Sequence, residues 1–274
     1  MKKAFLLLFC TILLGFTTSC LNDGGDPGPT IKAAASVDLN TENEIPMVEN
    51  REETGVFKMI LYQDNSLEFS ITLNDLAGSD NLTVAHIHSG DPVSTGAPVI
   101  TLVDGSSISF QGNQAIGNIQ LTETEVAALL GGDVYVNVHS ADSPAGLVRG
   151  QLDKQVNNAF NVVLSPDNEI PAITDRNDSG MAIFRVVGEE VYYKVTVSDL
   201  EATDAITAGH IHLGDATENG EVFINLEITD ASQLDVTKTI TLDENKMSKL
   251  LEDPLYVNIH STDHASGLMR GQIR

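Results

Sequence analysis

Six of the chain's seven histidines fall into two matching sets, and histidine is the side chain best suited to acid–base or metal chemistry near neutral pH. His86-Ile87-His88-Ser89-Gly90-Asp91 returns as His210-Ile211-His212-Leu213-Gly214-Asp215. Tyr135-Val136-Asn137-Val138-His139-Ser140 returns as Tyr256-Val257-Asn258-Ile259-His260-Ser261. Alternate residues of a strand share a face, so a His-X-His presents both imidazoles on one side. In the second stretch Val134, Val136 and Val138 share the apolar face, which leaves Tyr135, Asn137 and His139 on the other. If the two strands are neighbours, His86, His88 and His139 converge in the first copy, and His210, His212 and His260 in the second. Three imidazoles are a ligand set for Cu or Zn that leaves a coordination position open. Asp91 or Asp142 would add a carboxylate or orient a ring from behind. The competing reading is structural: strand histidines also bond to neighbouring backbone or Asn and hold no ion.

A second matched pair is cationic. Arg149 and Arg270 sit in an outer-facing slot beside matched glycines, in Arg149-Gly150-Gln151 and Arg270-Gly271-Gln272. A guanidinium fixed in a fold forks onto a carboxylate, so a structural clamp is expected to Glu44 and Glu169, or to Asp142 and Asp263. Nucleophilic catalysis finds no footing. Ser140 follows His139 directly, so on a strand the two point apart. There is no Gly-X-Ser-X-Gly elbow, no cysteine nucleophile and no Gly-rich phosphate loop. The chain is expected to be non-enzymatic.

The elements that must position these residues are also written twice. Asn43-Glu44-Ile45-Pro46 matches Asn168-Glu169-Ile170-Pro171, and residues 134–152 match 255–273 at 11 of 19 positions. The chain therefore holds two copies of one domain, 35–153 and 159–274. Leu67, Phe69, Ile71 and Leu73 alternate with polar residues, as do Val191, Tyr193, Val195 and Val197 with Tyr192, Lys194 and Thr196. That period of two marks strands with one face on a core. Thr122-Glu123-Thr124-Glu125 is a capping box opening a short helix that Gly131-Gly132 ends, and its partner runs from Asp243 to Leu251. The fold class expected is all-β: two tandem antiparallel sandwich or barrel domains, each with one short helix.

The N-terminal residues point to the cell envelope. Lys2 and Lys3 precede an apolar run from Ala4 to Phe16 and small residues up to Cys20. This is the pattern of a secretory signal over 1–19, too short for a membrane span of about 20 residues. Thr17-Thr18-Ser19-Cys20 resembles a bacterial lipoprotein box, which would make Cys20 the lipidated first residue and a membrane anchor. Residues 20–34, rich in Gly, Pro and Asp, then form a flexible tether. The expected location is the cell envelope, lipid-anchored to the outer membrane, with exposure at the cell surface one of the two faces left open. Cys10 and Cys20 are the only cysteines, so the mature chain has no disulfide. Fifteen basic against 39 acidic residues give a net charge of −24. Phosphate backbones would repel such a chain, which excludes nucleic acid as a partner.

Ala85-His86-Ile87-His88-Ser89-Gly90, Pro98-Val99, Leu129-Leu130-Gly131-Gly132, Tyr135 to His139 and Arg149-Gly150-Gln151 together resemble the CHRD domain, named after chordin and found also in bacterial secreted proteins. Gly209 to His212, Tyr256 to His260 and Arg270-Gly271-Gln272 resemble it equally. The resemblance covers nearly all of the mature chain. It implies an extracellular β-rich module with a binding or structural role. A looser similarity, confined to His86 and His88, is to copper–zinc superoxide dismutase, whose sandwich holds copper through a His-X-His strand; its zinc ligands and disulfide have no counterparts here.

Overall fold

The computed structural model describes residues 28–274. The signal segment, Cys20 and most of the tether lie outside the described residues. The first unit runs through β1 (Ile31–Asn40), β2 (Thr54–Tyr62), β3 (Ser66–Asn74), β4 (Leu82–Ser89), β5 (Pro98–Val103), β6 (Gln114–Gln120), α1 (Glu123–Gly131), β7 (Val134–Ser140) and β8 (Val148–Gln151). The second repeats this order with β9 (Asn158–Leu164), β10 (Ser179–Val187), β11 (Glu190–Ser198), β12 (Ile206–Leu213), β13 (Val222–Ile228), β14 (Lys238–Thr241), α2 (Glu244–Glu252), β15 (Leu255–Ser261) and β16 (Met269–Gln272). The protein is all-β with one short helix per unit.

Each unit is built from two four-stranded antiparallel sheets. In the first they join in the order β5-β4-β7-β8-β1-β2-β3-β6, and the seam between β8 and β1 is a single residue pair, Asn40 with Arg149. In the second, β13-β12-β15-β16 and β14-β11-β10-β9 are held by one bridge at the matching place, Ser165 with Arg270. So narrow a seam lets the halves fold over one another and enclose a core between them. Glycine keeps the seam tight: a Cβ on Gly150 would lie 2.5 Å from the Asp38 carbonyl, and one on Gly271 2.4 Å from that of Val163.

The alternating residues do what the period of two requires. Leu67, Phe69, Ile71 and Leu73 of β3 are buried, as are Val191, Tyr193 and Val195 of β11. They meet Ile87, Val136 and Val138 from the opposite sheet of the first unit, and Ile211, Val257 and Ile259 from that of the second. The capping box forms, with Glu125 N donating to Thr122 Oγ1 and Thr122 N to Glu125 Oε2, and Val126 and Leu129 turn into the core. Among the described residues, no helix is long and apolar enough to cross a membrane.

One expectation is corrected. The outer face of β7 and β8 is not a wet surface, because loops fold back over it. Tyr135, Asn137, Arg149 and Gln151, and Tyr256, Asn258 and Arg270 in the second unit, are all buried. Alternation dictates which side of a sheet a residue takes, but not whether another segment covers that side.

Candidate metal centre

Strands β4 and β7 are neighbours, and their register places the polar residues in rows. His86 faces Asn137 and His88 faces Tyr135; one strand further, Asn137 faces Arg149 and Tyr135 faces Gln151. β12, β15 and β16 repeat both rows. On its other edge β4 slips register against β5 between Ala85 and His86 and again between Ile87 and His88, and β12 does so at the matching residues. Such irregularities re-aim side chains locally.

His86, His88 and His139 come together, as do His210, His212 and His260, each ring offering a nitrogen within 4.8 Å of the others. The closest pairs are His86 Nδ1 with His139 Nε2 at 3.4 Å and His210 Nδ1 with His260 Nε2 at 3.1 Å. Nitrogens bound to one tetrahedral zinc at about 2.0–2.1 Å lie roughly 3.4 Å apart. The third ring of each cluster would close inwards to complete the set.

The ring tautomers follow from the hydrogen bonds. A carbonyl oxygen can only accept, so His88 Nδ1 donates to Gly96 O at 2.9 Å and His139 Nδ1 donates to Pro144 O at 3.0 Å. His212 and His260 do the same with Gly220 O and Ala265 O. In each neutral ring the proton is thereby held on Nδ1, and Nε2 carries a lone pair. His88 Nε2 and His212 Nε2 are buried with no partner at all. Without a cation, His86 Nδ1–H can donate to His139 Nε2; with one, that nitrogen becomes a ligand. A metal-bound histidine is ordinarily oriented in this way by the group that takes its other N–H.

The electrostatics favour neutral rings. Burial, then the charges of His139 and His88, push His86 down to about 4. Burial lowers His88, His139, His210, His212 and His260 as well, partly offset at His88 and His139 by their bonds to carbonyl oxygens. Neutral imidazole is the form that binds metal.

Several expected partners stand elsewhere. Asp91 does not join the imidazoles: its carboxylate caps its own turn by accepting from Val93 N at 2.9 Å. Asp142 lies 3.8 Å from Arg51. Backbone carbonyls, not carboxylates, orient the rings.

The clamp differs too. Arg149 does not fork onto Glu44. Its Nη2 donates to the carbonyls of Asp91 and Ser94 at 2.7 and 2.9 Å, and its guanidinium lies 3.5 Å from the centre of the Tyr135 ring. His88 stacks on that ring as well, with centroids 5.1 Å apart. Arg270, Tyr256 and His212 repeat the arrangement. Arg149 thus pins the loop whose Gly96 orients His88. Glu44 and Glu169 instead accept from the amides of Asn137 and Asn258. Gly146 and Gly267, at φ +146 and +145, let their loops approach that contact, since a Cβ at either would sit 2.6 Å from the asparagine amide.

A buried ionic cluster in each unit escaped the sequence reading. Arg51 bonds Glu53 and Asp80, and Arg176 bonds Asp178 and Asp204. Asp80 and Asp204 each also accept the backbone N–H of the loop after β7 or β15, from Asp142 and Asp263. This ties down the far side of the loop that carries the His139 and His260 acceptors. Its repeated spacing, Arg51 with Glu53 and Arg176 with Asp178, was the available signal.

The fold and site define a tandem, two-module β protein with one three-imidazole cluster on each module. Residues 35–152 and 160–273 each match the CHRD domain, and the chain belongs to that family. No curated protein and no solved structure matches it.

Proposed function

We propose that this chain is a non-enzymatic metal-binding module of the cell envelope, taking one Cu or Zn ion in each unit through His86, His88 and His139 and through His210, His212 and His260. The observation that carries this is the tautomer lock. Two imidazoles of each cluster hand their Nδ1 protons to backbone carbonyls, which leaves the Nε2 of His88 and of His212 buried without a partner and the Nε2 of His139 and of His260 facing only the third ring. A purely structural His88 or His212 would be expected to use both nitrogens. The acidic surface, at a net charge of −24, raises the local concentration of cations. A basic start, a short apolar run and Cys20 before a Gly-, Pro- and Asp-rich stretch support secretion and lipid attachment. The reading is thus a lipid-tethered protein at the outer membrane, with its binding modules held off the surface.

The test is elemental analysis of untagged residues 21–274 after exposure to Cu(II) or Zn(II) and desalting. Two equivalents per chain are expected, falling to one with His88→Ala or His212→Ala and to none with both. A chain that retains no metal overturns the proposal.

A further inference from the structure

The two clusters are copies, but their supports differ. The loop after β4, residues 91–96, holds the carbonyl that orients His88; the loop after β12, residues 215–220, holds the one that orients His212. In the second unit Asn219 braces its own loop. Its Oδ1 accepts from Arg270 Nη1 at 3.1 Å and its Nδ2 donates to Ile170 O at 2.8 Å, beside Glu169. The first unit has Thr95 at that position, and Arg149 Nη1, the counterpart of the atom that Asn219 accepts from, is buried and has no partner.

The missing brace is supplied from the other unit. Thr237 Oγ1 donates to Asp91 Oδ2 at 2.8 Å. Arg185, fully buried on β10, reaches Glu44 O with Nη2 at 3.4 Å and is held by Asn161 Oδ1 at 3.0 Å and Phe184 O at 2.9 Å. Asn161 Nδ2 also donates to Glu42 O at 3.1 Å. The arrangement runs one way only, because the β2 position matching Arg185 is Ile60. Burial agrees: Pro92 and Val93 in the first loop are buried, whereas Ala216 and Thr217 in the second are exposed.

We propose that Arg185 and Thr237 of the second unit are positioning residues for the first unit's imidazole cluster, so that metal held by His86, His88 and His139 is coupled to docking of the units, while the second cluster is self-sufficient. The metal half of this rests on the function proposed above. Linkage is reciprocal, so an ion at the first site also strengthens the docking.

The experiment uses the full chain from residue 21 in two backgrounds. His212→Ala leaves only the first site, and His88→Ala only the second. Zn(II) affinity is measured in each by competition with a chromogenic chelator, with and without Thr237→Val plus Arg185→Leu. The first site is expected to weaken about tenfold, as when an outer-shell partner of a ligand is lost, and the second to stay unchanged. Equal effects at both sites, or none at the first, overturn the proposal. Should Arg185→Leu fail to fold, Thr237→Val alone is compared in the same way. A metal-free readout separates this claim from the metal reading: amide exchange across 91–96 is expected to quicken in the variants while 215–220 does not. If both backgrounds fail to bind Zn(II), the proposed function falls, and exchange still decides the brace. Unaltered exchange at 91–96 overturns it.

Discussion

Glu44 and Asn137 meet inside the first unit across 93 residues of chain, the Asn137 amide donating to Glu44 Oε2 at 3.2 Å. Glu169 and Asn258 repeat the contact in the second unit at 3.4 Å. The remaining carboxyl oxygen and the asparagine carbonyl of each pair are buried and without a partner. Two acceptors left facing a buried site are costly. A proton on the carboxyl supplies the donor that both pairs lack. Burial raises Glu44 and Glu169 to about 7, against the opposing pull of Arg149 on the first, and of Asn258 and Arg270 on the second.

The stability consequence has a definite sign. Unfolded, Glu44 releases its proton near 4.5; folded, it keeps it to about 7. Its contribution is therefore complete below pH 4.5 and is lost as pH rises through 7. The isosteric Glu44→Gln keeps the buried amide contact and never ionises. Urea unfolding of this variant is expected to show a gain over the parent at pH 8 that vanishes at pH 4, on the order of 3 kcal/mol at most. Equal midpoint shifts at the two pH values would refute the buried proton.

The imidazoles carry the opposite sign. An unfolded histidine protonates near 6.5, whereas His86 in the fold resists until about 4. The stabilisation from neutral rings is present above 6.5 and is lost as pH falls through the folded value. Metal retention is expected to follow the same course. Zn(II) should remain bound at pH 6 and be released in the range where His86 charges, with the ring resonances of His86 and His139 moving together in NMR titration. Release centred at pH 6.5, the behaviour of solvated histidines, would contradict the burial argument.

Arg149→Lys tests the corrected clamp. An ammonium can meet one of the two carbonyls of Asp91 and Ser94, but it cannot stack flat on Tyr135. The variant is expected to lose about 2 kcal/mol of stability and to loosen the loop that orients His88, weakening the first site more than the second. Were Arg149 paired with an ionised Glu44, Glu44→Gln would instead destabilise at pH 8, the opposite sign to the gain expected above.

Much of this was legible in the chain because duplication separates retained residues from drifting ones. The strand alternation at Leu67 to Leu73, the capping box at Thr122 and the shared face of His86, His88 and His139 all depend on local geometry with a period of two or of one helical turn. Burial of Tyr135 and Arg149 was not legible, since the segments that cover them arrive from residues 44 and 91–96. The Arg51 cluster was missed for a related reason: its partner Asp80 is 29 residues away and marked by no spacing rule.

Order along the chain thus determined two copies, antiparallel strands with one short helix in each and a candidate ligand set, because strand geometry assigns side chains to faces without knowledge of the rest. Tertiary structure decided which nitrogen of His88, His139, His212 and His260 holds the proton, that the carboxylates expected to help lie elsewhere, and that the copies are supported differently. Those outcomes depend on which loop lies over which strand and on how one unit docks against the other. Contacts of that range are decided by packing of the whole molecule, and no local pattern encodes them.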